Sequence, residues 1–274
     1  MADEAPGRVP LSARPPGSVW LGDTLAGEGT GIGIGGVISG DSLFGRHQGS
    51  GGAGGPDGSD GEEQAALRAR LRGVYWIGGG SGAGKSTIAR RLAARHGLRL
   101  YATDEVMADH GRRSSPVDSP LMAGFAAMDM DERWVSRSPE TMLETFGWFR
   151  GEGFGLIVED LLRRPAGPGV IAEGFRLLPR LVRPLLAGPG RAVWLCPTPG
   201  FRRAAFASRG SLLRIAGKTS DPGKALANLL ERDRMFTDRL REEATGLGLP
   251  VIDVDPTMTE DDLTRRVTGA FGLD

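Results

Sequence analysis

The residues best suited to chemistry lie in one run, Gly79-Gly80-Ser81-Gly82-Ala83-Gly84-Lys85-Ser86-Thr87, which satisfies the spacing G-x-x-x-x-G-K-[ST] in full. Glycines there let the backbone take positive φ and bring its N–H groups close to an anion. A helix that begins at the lysine points its positive end at the same charge. Lys85 would reach the β and γ phosphates of a nucleoside triphosphate, and the Ser86 hydroxyl would ligate magnesium. In a glycine-rich chain chance is a real competitor, and the residue frequencies give on the order of one accidental match per hundred such chains. Two further patterns, Gly31-x-Gly33-x-x-Gly36 and Gly49-x-Gly51-x-x-Gly54, match a dinucleotide fingerprint. Neither is flanked by a strand and a helix, so both are set aside.

The fate of a bound γ-phosphate depends on other residues. Tyr101-Ala102-Thr103-Asp104-Glu105 follows an apolar run, and Asp104 could take a proton from an attacking hydroxyl or help hold magnesium. The plainer alternative is that Asp104 only caps the next helix. Glu173 follows Val170-Ile171-Ala172, where a carboxylate can order a magnesium shell through water, or else act only as a turn acid before Gly174. Five arginines, Arg202, Arg209, Arg214, Arg232 and Arg234, lie in or near a polar, turn-prone segment followed by a long helix. This is the pattern of a lid over residues 209–224 that excludes water and neutralises charge, with Arg209 and Arg232 as the catalytic choices. Arg176 and Arg180, and Arg133, Arg137 and Arg150 in the preceding insertion, could contact an anionic acceptor.

These side chains need elements to hold them. Val74–Ile77 reads as a strand ending at the glycine loop, and Ile88, Ala89, Leu92 and Ala93 recur at helical spacing up to Gly97, a C-cap residue. Further strands are expected at Leu98–Ala102, Gly169–Ala172, Ala192–Cys196 and Val251–Val254, with helical stretches between them, the longest from about Lys224 to Glu243. The alternation predicts a parallel sheet with helices on both faces. Residues 105–168 form a mostly helical insertion over the acceptor side, whose methionines and aromatics read as core. The domain spans 71–274, a normal single-domain length.

Residues 1–70 read differently. They hold 18 of the 44 glycines, no sustained periodicity, and nine acids against five arginines, which describes a disordered tail. Whole-chain totals exclude other classes. Thirty-four basic residues balance 34 acids, so no bulk attraction to nucleic acid or anionic lipid is expected and an anion must be held locally. One cysteine, Cys196, excludes a disulfide scaffold or a cysteine-rich zinc module. No apolar run is long enough to span a membrane, and the first residues lack signal-peptide features, so a cytoplasmic location is expected.

The chain resembles the small P-loop kinases of the adenylate-kinase-like group over roughly residues 73–272. GGGSGAGKSTIARRLAARHG is similar to their first strand, loop and helix, and ATDEV to the T-D-x-[IV] segment of 2-phosphoglycerate kinase and polynucleotide-kinase-like proteins. AEGFRLLPR is similar to the D-G-F-P-R stretch of adenylate kinases, and LGLPVIDVD to their last strand, before adenine contacts near Asp255 and Pro256. Met107 stands where those relatives carry an arginine, and Glu173 stands where they carry the aspartate. The resemblance implies a P-loop NTPase three-layer sandwich of about five strands with a helical acceptor-side insertion and an arginine-bearing lid. It implies ATP and Mg2+ as cofactors and phosphoryl transfer to a small-molecule acceptor, most simply a hydroxyl. A nucleoside or nucleotide kinase is the alternative within the class, and a nucleotide-dependent regulatory ATPase the alternative outside it.

Overall fold

A computed structural model of the chain describes residues 58–165, 167–202 and 211–273. The apolar runs form β1 (Val74–Gly79), β2 (Arg99–Ala102), β3 (Val170–Glu173), β4 (Ala192–Pro197) and β5 (Val251–Val254). All pair in parallel, in the order β2-β3-β1-β4-β5. The fold is α/β around a five-stranded parallel sheet, as the alternating pattern predicts. β1 connects toward β2 on one side and β4 toward β5 on the other, so the carboxyl ends of β1 and β4 flank the topological switch point where such sheets bind ligands.

Helices follow the local signals. α1 covers Gly58–Arg70 and α2 covers Lys85–His96, closed by Gly97 at φ 63°. The insertion holds α3 (Met107–Arg113), α4 (Pro120–Ala127), α5 (Pro139–Thr145), α6 (Gly147–Arg150) and α7 (Phe154–Leu162). Beyond it come α8 (Pro179–Val182), α9 (Ser211–Ala216), α10 (Pro222–Gly246) and α11 (Glu260–Phe271). Asp221 caps α10 through the Lys224 N–H, with Pro222 preset at the first position. Thr259 and Asp262 form a reciprocal capping box at α11.

Strand residues of alternate parity point to opposite faces. Ile77, Ile171, Val193 and Leu195 pack against Ile88 and Leu92 of α2 and Leu263 and Val267 of α11. Trp76, Ala172 and Trp194 pack on the other side with Ile157, Val158 and Leu161 of α7 and Ala244 of α10. Burial on both faces explains why the strands read as continuous apolar runs. A third cluster joins the insertion to α10, with the Phe149 and Phe236 rings stacked 3.7 Å apart. Met107, Met122, Trp134, Trp148 and Phe149 of the insertion are therefore core, as expected, with Met130 packed against them, while Met128 is half-buried outside the cluster.

Two boundaries move. Ordered packing reaches upstream of Leu71, through α1: Leu67 is buried, and Gln64 and Arg68 donate to the Pro184 carbonyl at 2.9 and 2.7 Å. The glycines before it masked a short amphipathic helix, EEQAALRARL. Residues 1–57 of the predicted tail lie outside the described residues. In the predicted lid, 211–216 is helical and buries Ile215 and Ala216 against the insertion cluster, where the sequence suggested only turns. Among the described residues no helix is long and apolar enough to cross a membrane.

Leu67→Ala should cost about 2 kcal/mol, the low end for a buried leucine, as a fall in the urea midpoint at unchanged slope. No change would mean that α1 does not dock on the domain.

Candidate functional site

β1 delivers the glycine loop to the carboxyl end of the sheet. Gly78 leaves room for the Trp194 indole, because a Cβ there would sit 2.3 Å from its Nε1. At Gly79, φ is 126° and a Cβ would lie 2.0 Å from the Leu195 carbonyl oxygen, so β4 closes directly against this backbone. Gly80 N–H then donates to the same carbonyl at 3.0 Å, and α10 approaches so closely at Thr237 that Gly80 has no space for a side chain. Gly82 and Gly84 take positive φ of 87° and 80°. Gly84 is also the residue before α2, and no side chain caps that helix start.

Lys85 is buried and its Nζ donates to the Gly80 carbonyl at 2.8 Å, which holds the ammonium within the curve of the loop. Ser86 and Thr87, half-exposed in the first turn of α2, stand beside it. Buried N–H groups, a helix start and a desolvated ammonium together make an anion cradle.

Two carboxylates reach the same end. Glu173 closes β3 in register with Ile77 of β1 and Ala102 of β2 and is 2 % exposed. Its carbonyl accepts from Thr103 N–H at 2.9 Å. Gly174 turns away at φ 149° with Thr103 Oγ1 pressed against it, 1.7 Å from where a Cβ would stand. Asp104 follows Thr103 in the turn before α3. Val106, not Asp104, holds the N-cap position of that helix. The structure thus brings the loop 79–87, Glu173 and Asp104 to one end of three adjacent strands. Among the described residues no group of three or more His, Cys, Asp and Glu side chains is arranged to hold a metal. A hydroxyl and two carboxylates nevertheless match what Mg2+ needs when phosphate oxygens complete its shell.

The predicted lid arginines disperse. Arg209 lies outside the described residues, and Arg214 is exposed. Arg232 is a correction. It projects from α10 into the core, ion-paired with Asp233 at 2.6 Å and ringed by Trp134, Phe146 and Phe149 at 5.2 to 5.4 Å. A guanidinium stacked on three rings is fixed by packing and is no mobile lid group. Arg234 pairs with Glu231 and Asp238 on the surface. Arg202, just after β4, is buried, which lowers its pKa, while Asp238 and Asp233 of α10 attract it. Arg133, Arg137, Arg150 and Arg180 have partners within the chain, respectively the Phe125 and Ala126 carbonyls, Met128 and Thr141, Glu144, and Glu243. Cys196 is a buried strand residue whose thiol is pushed up to about 11 by burial.

A further cluster behind Asp104 centres on His110, Asp160 and Arg176. Burial pushes the Arg176 guanidinium down to about 10, partly opposed by attraction to Tyr101, Asp104 and Asp160. Burial and the neighbouring Arg176 both lower the His110 pKa. Burial also opposes ionisation of Asp160, but hydrogen bonds from His110, Arg113 and Tyr101 hold its carboxyl below the usual range. His110 escaped the sequence reading. The one available signal was its place three residues after Met107, on the buried face of a short helix.

Compared with known proteins, the chain matches no protein-family model and no curated protein sequence.

Gly79→Ala should destabilise the fold by at least about 2 kcal/mol, because both the φ and the contact with Leu195 are backbone constraints. A chemical-denaturation midpoint within error of wild type would refute that geometry.

Proposed function

We propose that the chain is an ATP-dependent phosphotransferase on a P-loop-type three-layer scaffold, moving the γ-phosphate of ATP to a hydroxyl of a small molecule. The observation that carries this reading is the buried Lys85 ammonium inside the glycine loop, at the same sheet end as Glu173 and Asp104.

The loop N–H groups beyond Gly80, up to Thr87, and the Lys85 ammonium bind the triphosphate and fix the γ-phosphate in position. Ser86 and Glu173 would hold Mg2+, which when bound neutralises charge on the β and γ phosphates. Asp104 accepts the proton of the acceptor hydroxyl as its oxygen bonds to the γ-phosphorus and the bond to the ADP oxygen breaks. Arg202, whose charge is drawn to Asp233 and Asp238 of α10, the helix that carries Thr237 against Gly80, is the described lid arginine assigned to meet the phosphates. The insertion closes the acceptor side and keeps water out.

The test is a panel of alcohols, nucleosides and nucleotides with γ-labelled ATP, scored for label in an acceptor product. Lys85→Ala should weaken ATP binding by roughly 10- to 100-fold. Asp104→Asn should lower turnover by about 10²- to 10⁴-fold at unchanged ATP affinity. Retained turnover in Asp104→Asn would shift the assignment to a phosphate acceptor, which needs no base. Label released only as free phosphate would overturn the reading.

A further inference from the structure

The insertion meets the sheet through a polar chain, buried at His110 and Arg176 and partly buried at Asp160, that the reaction above does not use. His110 on α3 is fully buried, with Nε2 2.8 Å from Asp160 Oδ2 of α7 and Nδ1 2.9 Å from Arg176 Nη1. A guanidinium can only donate, so Nδ1 carries no proton and accepts. The ring proton is therefore on Nε2 and is donated to Asp160. Asp160 also accepts from the Tyr101 hydroxyl at 2.9 Å and from Arg113 Nη1 at 2.8 Å. Four elements thus lock one tautomer and one ring orientation.

Arg176 is 2 % exposed, and its guanidinium lies 5.1 Å from the centre of the Trp148 ring. Its two hydrogen-bond acceptors, His110 and the Gly153 carbonyl at 3.0 Å, are both uncharged. A buried cation held by neutral partners is expensive to keep. Asp104 lies in the turn that leads directly into α3, the helix that carries His110. One imidazole therefore anchors both the cation and the helix that ends the Asp104 turn.

We propose that His110, backed by Asp160, is a positioning residue for the acceptor end of the site, holding the Arg176 guanidinium and the α3 start in place so that Asp104 is presented to the acceptor. This rests on the phosphotransferase reading. Neither His110 nor Asp160 touches the reacting atoms; both act through Arg176 and the turn 103–106.

Two substitutions separate the role from simple packing. Asparagine can place its amide oxygen where Nδ1 sits and keep the bond to Arg176, whereas glutamine reaches the Nε2 position and keeps only the Asp160 side. In the full chain, His110→Gln should lose at least about tenfold in turnover at unchanged ATP affinity, and His110→Asn should stay within about threefold of wild type. Both should melt at similarly lowered temperatures, since each loses one buried bond. Equal turnover losses that track melting, or no loss in His110→Gln, would overturn the proposal. Should His110→Gln fail to fold, Asp160→Asn, which frees the ring, should lose turnover in the same sense, and full activity there would refute the role. If wild type labels no acceptor, the phosphotransferase reading fails and the guanidinium NMR signal of Arg176 decides the positioning claim alone. That signal should be protected from exchange in wild type and His110→Asn, be lost in His110→Gln, and move in Asp104→Asn. A protected signal in His110→Gln, or one indifferent to Asp104→Asn, would refute it.

Discussion

The closure of β4 onto the end of β1 is the contact on which the rest depends. Two adjacent glycines make it possible: Gly78 admits the Trp194 indole, whose Nε1 donates to the Leu177 carbonyl at 2.9 Å, and Gly79 lets the Leu195 backbone lie where a side chain would be. With the strands in that register, Gly80 is pinned between Leu195 and Thr237, and the chain must turn before α2 can start. The loop's shape is therefore set from two directions, by the Leu195 backbone and the Thr237 side chain, which is the rigidity a preorganised anion site needs. A side chain at either glycine would push β4 away and open the loop.

The same sheet end gathers charges that would otherwise stay in water. Lys85, Glu173 and Arg176 are all buried there; the Lys85 ammonium donates to the Gly80 carbonyl, and the Arg176 guanidinium to His110 and the Gly153 carbonyl. Elsewhere, charges are treated in the ordinary way, as exposed ion pairs along α10 and α11, which contribute little to stability. The contrast marks the carboxyl end of β1, β2 and β3 as the place where buried charge is concentrated. Arg232 is the instructive exception, a buried arginine with a carboxylate beside it and three aromatic rings around it, in a setting of packing.

Much of the fold was legible because its signals are local. The five strands and the helices around the loop appeared within a residue or two of their observed limits, since β-branched runs, helical spacing and residues such as Gly97 act over a few positions. α1 was missed because the glycines preceding it dominate the composition of that stretch, although Leu67 and Leu71 supply a buried edge. The turn-prone look of 211–216 misled for a related reason: the helix there is stabilised by burying Ile215 against the insertion, a contact the segment itself does not announce. Arginines were the least legible residues, because with so many in the chain nothing local separates one that stacks in the core from one that meets a ligand.

The sequence by itself determined the parallel α/β class, the glycine loop with Lys85 and Ser86, and the candidacy of Asp104 and Glu173, each read from a short run whose chemistry is carried by neighbouring residues. Only the tertiary structure decided that Val106 and not Asp104 holds the N-cap position of α3, that Arg232 belongs to the core, and that His110, Asp160 and Arg176 form one hydrogen-bonded chain. His110 lies 50 positions from Asp160 and 66 from Arg176 along the chain, and hydrogen bonds over such distances depend on how helices pack onto a sheet. Packing of that kind leaves no periodicity or spacing to read.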